Sequence, residues 1–150
     1  MPLPYRRILF ATDLSEVSLQ AWPHAVALAE KLGAELLVVT VIEEPYAFAD
    51  SGNYSLLLKS LQEIRPAIEQ RLLELAKKAP PAVRARAAVL ESHQVARALL
   101  DHAAKEKCDL IVAATHGRGG IQHLLLGSVA EKLVRISSIP VFVLPPTTPR

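Results

Sequence analysis

Two short apolar runs, Leu36 to Ile42 and Leu110 to Ala114, set the terms on which this chain can fold. Both fall well short of the roughly 20 residues a membrane-spanning helix needs, and both have the length of strands buried on two faces. A third run, Arg7 to Thr12, reads Arg-Ile-Leu-Phe-Ala-Thr, and Pro140 to Leu144 supplies a last one. Strands of this kind belong to a parallel sheet covered by helices above and below. The intervening segments carry such helices. Leu14, Val17, Ala21, Ala25, Leu28, Ala29 and Leu32 recur at helical spacing, and Gly33 follows as a C-terminal stop. Leu57, Leu61, Ile64, Ile68, Leu72 and Leu75 form a second stripe that Pro80-Pro81 ends. Val95, Leu99, Leu100 and Ala103 mark a third helix, and Val129, Ala130, Leu133 and Val134 a last one.

Strands alternating with helices imply right-handed crossovers and an α/β domain. Val83 to Glu91 is expected to be a further strand, its Arg84 and Arg86 marking a sheet edge. Residues 43 to 54 read as a loop, and residues 145 to 150 as a short Pro/Thr tail. Pro23 and Pro66 each interrupt a helical stripe that continues in phase beyond it, so bends are expected there, the first near Leu19 to Pro23. No repeat or composition change divides the chain, and residues 1 to 150 read as one domain.

Composition narrows the function. The 150 residues are 51% hydrophobic, enough for a substantial core, and 17 basic against 15 acidic residues lie scattered without the basic block of a nucleic-acid binder. The opening residues lack the order of a signal peptide, because the basic pair follows the apolar stretch; a cytoplasmic protein without a membrane segment is expected. Cys108, the single cysteine, reads as a packed, inert thiol. His24, His93, His102 and His123 show no ligand spacing and read as solvated. There is no triad, no paired acid and base on one loop, no metal-ligand cluster, no GxxxxGK[ST] loop and no GxGxxG after the first strand. Nothing in the pattern argues for catalysis.

In a doubly wound sheet a ligand sits outside the carboxyl ends of the strands, where the strand order reverses. Two strand ends are polar in an informative way. The first runs into Thr12-Asp13; the fourth runs into Ala114-Thr115-His116-Gly117-Arg118-Gly119-Gly120, and Gly127-Ser128 opens a helix. Glycines let backbone N–H groups approach an anion, and a helix N-terminus adds about 0.3–1 kcal/mol per anionic group. Ser128-Val129-Ala130-Glu131 reads equally as a capping box. Asp13 competes with Ser15 for the cap of the first helix and is assigned to the cleft.

Asp13 after the first strand, Val41 near the end of the second, Asp109 to Arg118, Leu125 to Glu131 and Pro140 to Leu144 together resemble the universal stress protein family over nearly the whole chain. The most specific part is the family's G-x-x-G-x9-G-[ST] pattern, here Ala114-Thr-His-Gly117, nine residues, then Gly127-Ser128. The resemblance implies a Rossmann-like, three-layer fold with a five-stranded parallel sheet in the order 3-2-1-4-5. It implies a nucleotide site of Thr12, Asp13, Val41, Ala114, His116, Gly117, Gly127, Ser128 and Val129. In that site Asp13 approaches ribose and adenine, the Val41 backbone meets adenine, and Gly117 with Gly127-Ser128 holds phosphates. Ala114 departs from the pattern: alanine costs roughly 1–2 kcal/mol if its site is left-handed, and is harmless if the strand simply continues. Glu91-Ser92-His93-Gln94 departs too, where many members have glycine and proline.

The function so implied is an ATP-binding stress or signalling module, with Mg2+ accompanying ATP, ADP or AMP as other ligands, and slow hydrolysis at most. The other reading is a nucleotide-independent dimeric scaffold. By resemblance the chain is a homodimer through its last strand, Val141 to Leu144, with a further protein partner that the residues do not identify.

Overall fold

The computed structural model describes residues 5–44, 52–116 and 126–146. Five strands alternate with the helices: β1 (Arg7–Ala11), α1 (Glu16–Leu19), α2 (Trp22–Leu32), β2 (Glu35–Glu43), α3 (Tyr54–Lys77), β3 (Ala85–Ser92), α4 (Val95–Lys105), β4 (Leu110–Ala114), α5 (Ser128–Ile136) and β5 (Val141–Leu144). All pairings are parallel and the order is β3-β2-β1-β4-β5, as the resemblance implies. The order reverses between β1 and β4.

Alternation along each strand divides the core in two. Ile8, Phe10, Leu36, Val38, Leu110 and Val112 pack with Ala21, Ala25 and Ala29 of the α2 side and Leu72, Leu75 and Ala76 of α3. Leu9, Ala11, Leu37, Val39, Ile111 and Ala113 meet Ala96, Leu99 and Ala103 of α4 and Leu133 of α5. Each fully buried Leu, Ile, Val or Phe contributes about 1.5–3 kcal/mol. The alanine stripe of α2 lets that helix lie close to the sheet, and Trp22 tilts against Phe10 with ring centroids 5.7 Å apart.

Several expectations shift in detail. The first helical pattern splits between Leu19 and Trp22 instead of bending, and Pro23 falls in the first turn of α2, where a missing N–H breaks no bond. Leu32, read as part of the apolar stripe, is exposed. Gly33 ends α2 as expected, at φ +64. α3 continues through Pro66 as one 24-residue helix. β2 reaches Glu43 and α3 starts at Tyr54, which shortens the expected loop; residues 45–51 lie outside the described residues, as do residues 147–150 of the tail. β3 begins at Ala85, with Val83 buried just before it, and lies at the sheet edge.

The amino ends of the strands are laced by charge. Glu35 meets Arg7 at 3.0 Å, Arg86 at 2.5 Å and Arg84 at 4.0 Å, and Arg86 reaches Glu106 at 3.2 Å. Asp109 accepts the Arg6 and Arg7 amides at 2.8 and 3.2 Å. Burial alone would raise the pKa of Glu35, but Arg86 and Arg7 outweigh it and hold the carboxyl below its ordinary value. His102, expected to be solvated, is half-buried beside a cavity of about 50 Å3 lined also by Leu37, Arg86 and Glu106, and burial lowers its pKa despite Glu106. Cys108 is buried and its pKa is raised by burial to about 11, which makes it a poor nucleophile. Among the described residues no helix is long and apolar enough to cross a membrane.

Candidate functional site

The register places the polar strand ends side by side. Ala11 pairs with Val39 on one flank and with Ala113 on the other, so the chain leaves the sheet at Thr12 and Asp13 level with Ala114 and Thr115. Val41 lies two residues beyond Val39, where β2 has outrun β1 and pairs with Leu90 of β3. β1, β2 and β4 therefore bring Asp13, Val41 and Thr115 to one edge, at the point where the strand order reverses.

On the β1 lip a chain of hydrogen bonds fixes the turn into α1. The Thr12 amide extends the ladder by donating to the Val39 carbonyl at 3.0 Å. Its hydroxyl accepts from the Leu14 amide at 3.0 Å and lies 2.8 Å from the Ser18 hydroxyl, which donates to Asp13 Oδ1 at 2.7 Å. With Asp13 ionised, one direction satisfies every group: Leu14 N–H to Thr12, Thr12 O–H to Ser18, Ser18 O–H to the carboxylate. The Ser15 amide adds a second donor to Asp13 Oδ1 at 2.9 Å. Ser15 caps α1 through its own side chain, which accepts from the Ser18 amide at 3.2 Å. Asp13 is thus not the cap, but it is tied to the helix start by two hydrogen bonds. Leu14 turns the chain at φ +64, a conformation that costs a residue with a Cβ roughly 1–2 kcal/mol.

Ser18 was not singled out from the sequence. The signal was available: Ser18, Ala21, Ala25 and Ala29 form the buried row, and Ser18 is its one polar member. A hydroxyl in such a row needs a partner, and here it has the Thr12 and Asp13 side chains.

On the β4 lip the strand continues through Ala114, which pairs with Leu144 and does not adopt a positive φ. The strand simply continues here, so the cost of a left-handed alanine does not arise. Thr115 is buried, donates its amide to Leu144 at 2.8 Å, and its hydroxyl lies 3.0 Å from His116 Nδ1. Gly127 returns to this strand end and donates its amide to the Thr115 carbonyl at 2.6 Å. Its φ of −68 would suit any residue, but a Cβ there would stand 2.9 Å from that carbonyl. Glycine is needed for space, not for torsion.

The capping box over Ser128 to Glu131 does not form. Gly127 is the N-cap, Ser128 is the first helical residue and exposed, and no side chain caps α5. The first-turn amides of an α-helix have no acceptor within it, and those of Ser128 and Val129 stand at this edge. Val129 itself is half-buried against the α4 and α5 core. Gly117, the second glycine of the pattern, lies outside the described residues, as do Gly119, Gly120 and His123. Among the described residues no three His, Cys, Asp or Glu side chains converge as a metal site.

Comparison with known proteins gives a consistent result. The model of the universal stress protein family matches residues 4–145. Universal stress protein MJ0531 of Methanocaldococcus jannaschii is 32% identical over 141 residues, covering 93% of this chain and 81% of that protein. The solved structure of protein MJ0577 superposes with a TM-score of 0.84 at 21% identity, covering 98% of this chain and all of the other, a likeness of fold. A universal stress protein solved in complex with cAMP superposes with a TM-score of 0.68 at 25% identity, covering 96% of this chain and 99% of that one.

Proposed function

This chain belongs to the universal stress protein family, and on that premise we propose that it binds an adenine nucleotide, ATP foremost, at the carboxyl edge between β1 and β4. The observation that carries this reading is the pairing of unlike lips at the reversal of strand order. One lip holds a carboxylate fixed by Ser15 and Ser18; the other offers the uncapped start of α5 held against Thr115. Phosphates suit helix amides, and a carboxylate suits ribose hydroxyls. The family relative in complex with cAMP supports the adenine nucleotide class. In this reading Thr12, Asp13 and the Val41 backbone face the nucleoside, while His116, Gly117, Gly127, Ser128 and Val129 surround the phosphates, with Ala114 lining the strand end between them. Mg2+ enters with the triphosphate. In this reading hydrolysis is slow at most, and the nucleotide state acts by altering a partner's affinity. The setting is the cytoplasm.

The assembly proposed is a homodimer through β5. β5 is an edge strand, and Phe142, Val134 and Ile136 on β5 and α5 are exposed by 43%, 50% and 39%, an apolar surface that a second copy would cover. Titration calorimetry with ATP, ADP and AMP tests the function, with ATP binding below millimolar concentration as the expected result. If none of the three binds, the dimeric scaffold reading replaces it.

A further inference from the structure

Leu14 has a positive φ and a carbon side chain buried in the core, and it stands between a strand and a helix. Lys107, the other non-glycine residue with positive φ among the described residues, is exposed and follows the C-cap of α4, an ordinary place for such a turn. The reversal at Leu14 therefore needs a holder. α3 supplies it, for Arg71 Nη2 donates to the Leu14 carbonyl at 3.2 Å, across 57 residues of sequence.

That carbonyl shares a rigid, planar peptide unit with the Ser15 N–H, and the two point in opposite directions. One end of the unit is held by Arg71; the other donates to Asp13 Oδ1 at 2.9 Å. Rotation of this peptide would withdraw a donor from the carboxylate and shift the Ser18 hydroxyl's acceptor with it. We infer that Arg71 is a positioning residue for Asp13, fixing the Leu14–Ser15 peptide and through it the direction of the carboxylate at the carboxyl edge. α3 thereby has a direct mechanical connection to the site, although it packs chiefly on β3 and β2. The consequence for ligand affinity rests on the nucleotide reading; the effect on the turn does not.

The test pairs two readouts on the full chain, amide hydrogen exchange at Ser15 followed by NMR, and calorimetry with ATP. Arg71→Ala is expected to speed Ser15 exchange about tenfold and weaken ATP binding by a similar factor, the loss of roughly one charge-assisted hydrogen bond. Arg71→Lys, which keeps a cationic donor, should restore most of both. In an Asp13→Ala background the Arg71→Ala substitution should leave ATP affinity unchanged, which a merely structural role would not produce. Unchanged Ser15 exchange in Arg71→Ala, or an equal loss of affinity with and without Asp13, would overturn the assignment. If the wild type binds no ATP, the nucleotide reading fails by itself, and Ser15 exchange still decides whether Arg71 holds the turn.

Discussion

The two ends of the sheet handle polar groups in opposite ways. At the amino end, long charged side chains satisfy one another: Glu35 with Arg7 and Arg86, Arg86 with Glu106, Asp109 with two backbone amides. At the carboxyl end a charge pair, Arg65 with Glu91 at 2.7 Å, is confined to the β3 edge, and at the ends of β1 and β4 the polar groups are short. There Thr12, Ser15, Ser18 and Thr115 bond locally, one carboxylate, that of Asp13, is held in place, and a helix begins without a side-chain cap. A closed network stabilises and leaves nothing for a ligand to complete. Short side chains around a fixed carboxylate and helix amides leave groups that an anion can complete. Stability and binding should therefore separate by end of the sheet.

The largest effect expected is at Gly127. Gly127→Val forces branched carbon against a carbonyl that a bare Cβ would already approach to 2.9 Å, so the start of α5 must move away from Thr115. ATP binding should be lost in calorimetry and stability reduced by about 1–3 kcal/mol, as for other overpacked sites. Binding retained at wild-type strength would show that the β4 lip is not part of the site.

At the other end, Glu35→Gln should lower stability by about 2 kcal/mol and leave ATP affinity untouched, since it weakens charge-assisted bonds to partners a third to a half exposed. The pH dependence has a definite sign. The folded-state pKa of Glu35 lies below its ordinary carboxylate value, so its stabilising contribution is present above that ordinary value and is lost as pH falls through the folded one. Denaturant melts of wild type should weaken in that acid window, and Glu35→Gln should weaken less. Equal slopes for the two proteins would remove Glu35 as the cause.

Asp13→Ala comes next, with an expected loss of about tenfold in ATP affinity and about 1 kcal/mol in stability, because two local hydrogen bonds go with the carboxylate. A stability loss with affinity unchanged would make Asp13 part of the scaffold alone. The smallest change belongs to Ala114→Gly. β4 continues through this position without a left-handed residue, so glycine relieves nothing and should lower stability by roughly 0.5–1 kcal/mol with affinity unchanged. A gain in affinity measured by calorimetry would mean that the methyl group obstructs the ligand.

The same contrast explains what the sequence made legible. Apolar runs and helical stripes report burial, and burial decides elements, so all five strands and the C-terminal stop at Gly33 were readable. Strand order and the roles of the site residues come through resemblance, whereas the two polar strand ends stand out from the residues themselves, and the register sets Asp13 and Ala114 at one edge. Periodicity does not report chain direction between elements. The break before Trp22, the left-handed turn at Leu14 and the role of Ser18 all depend on contacts between distant or reversed segments. The Ser128 box failed for a similar reason: Gly127, drawn onto Thr115, takes the cap position first. His102 reads as solvated because most of the residues that share its cavity, Leu37, Arg86, Ala87 and Ala88, come from the sheet and not from its neighbours in sequence.

The separation between the two ends can be read in one experiment, titration of ATP into isotope-labelled protein with backbone amide shifts followed by NMR. The account predicts saturable shifts at Thr12 to Ser18, Val41, Thr115, His116 and Gly127 to Val129, with Arg7, Glu35, Arg86 and Glu106 unmoved. Shifts centred on the amino-end charge network, or none at millimolar ATP, would contradict it.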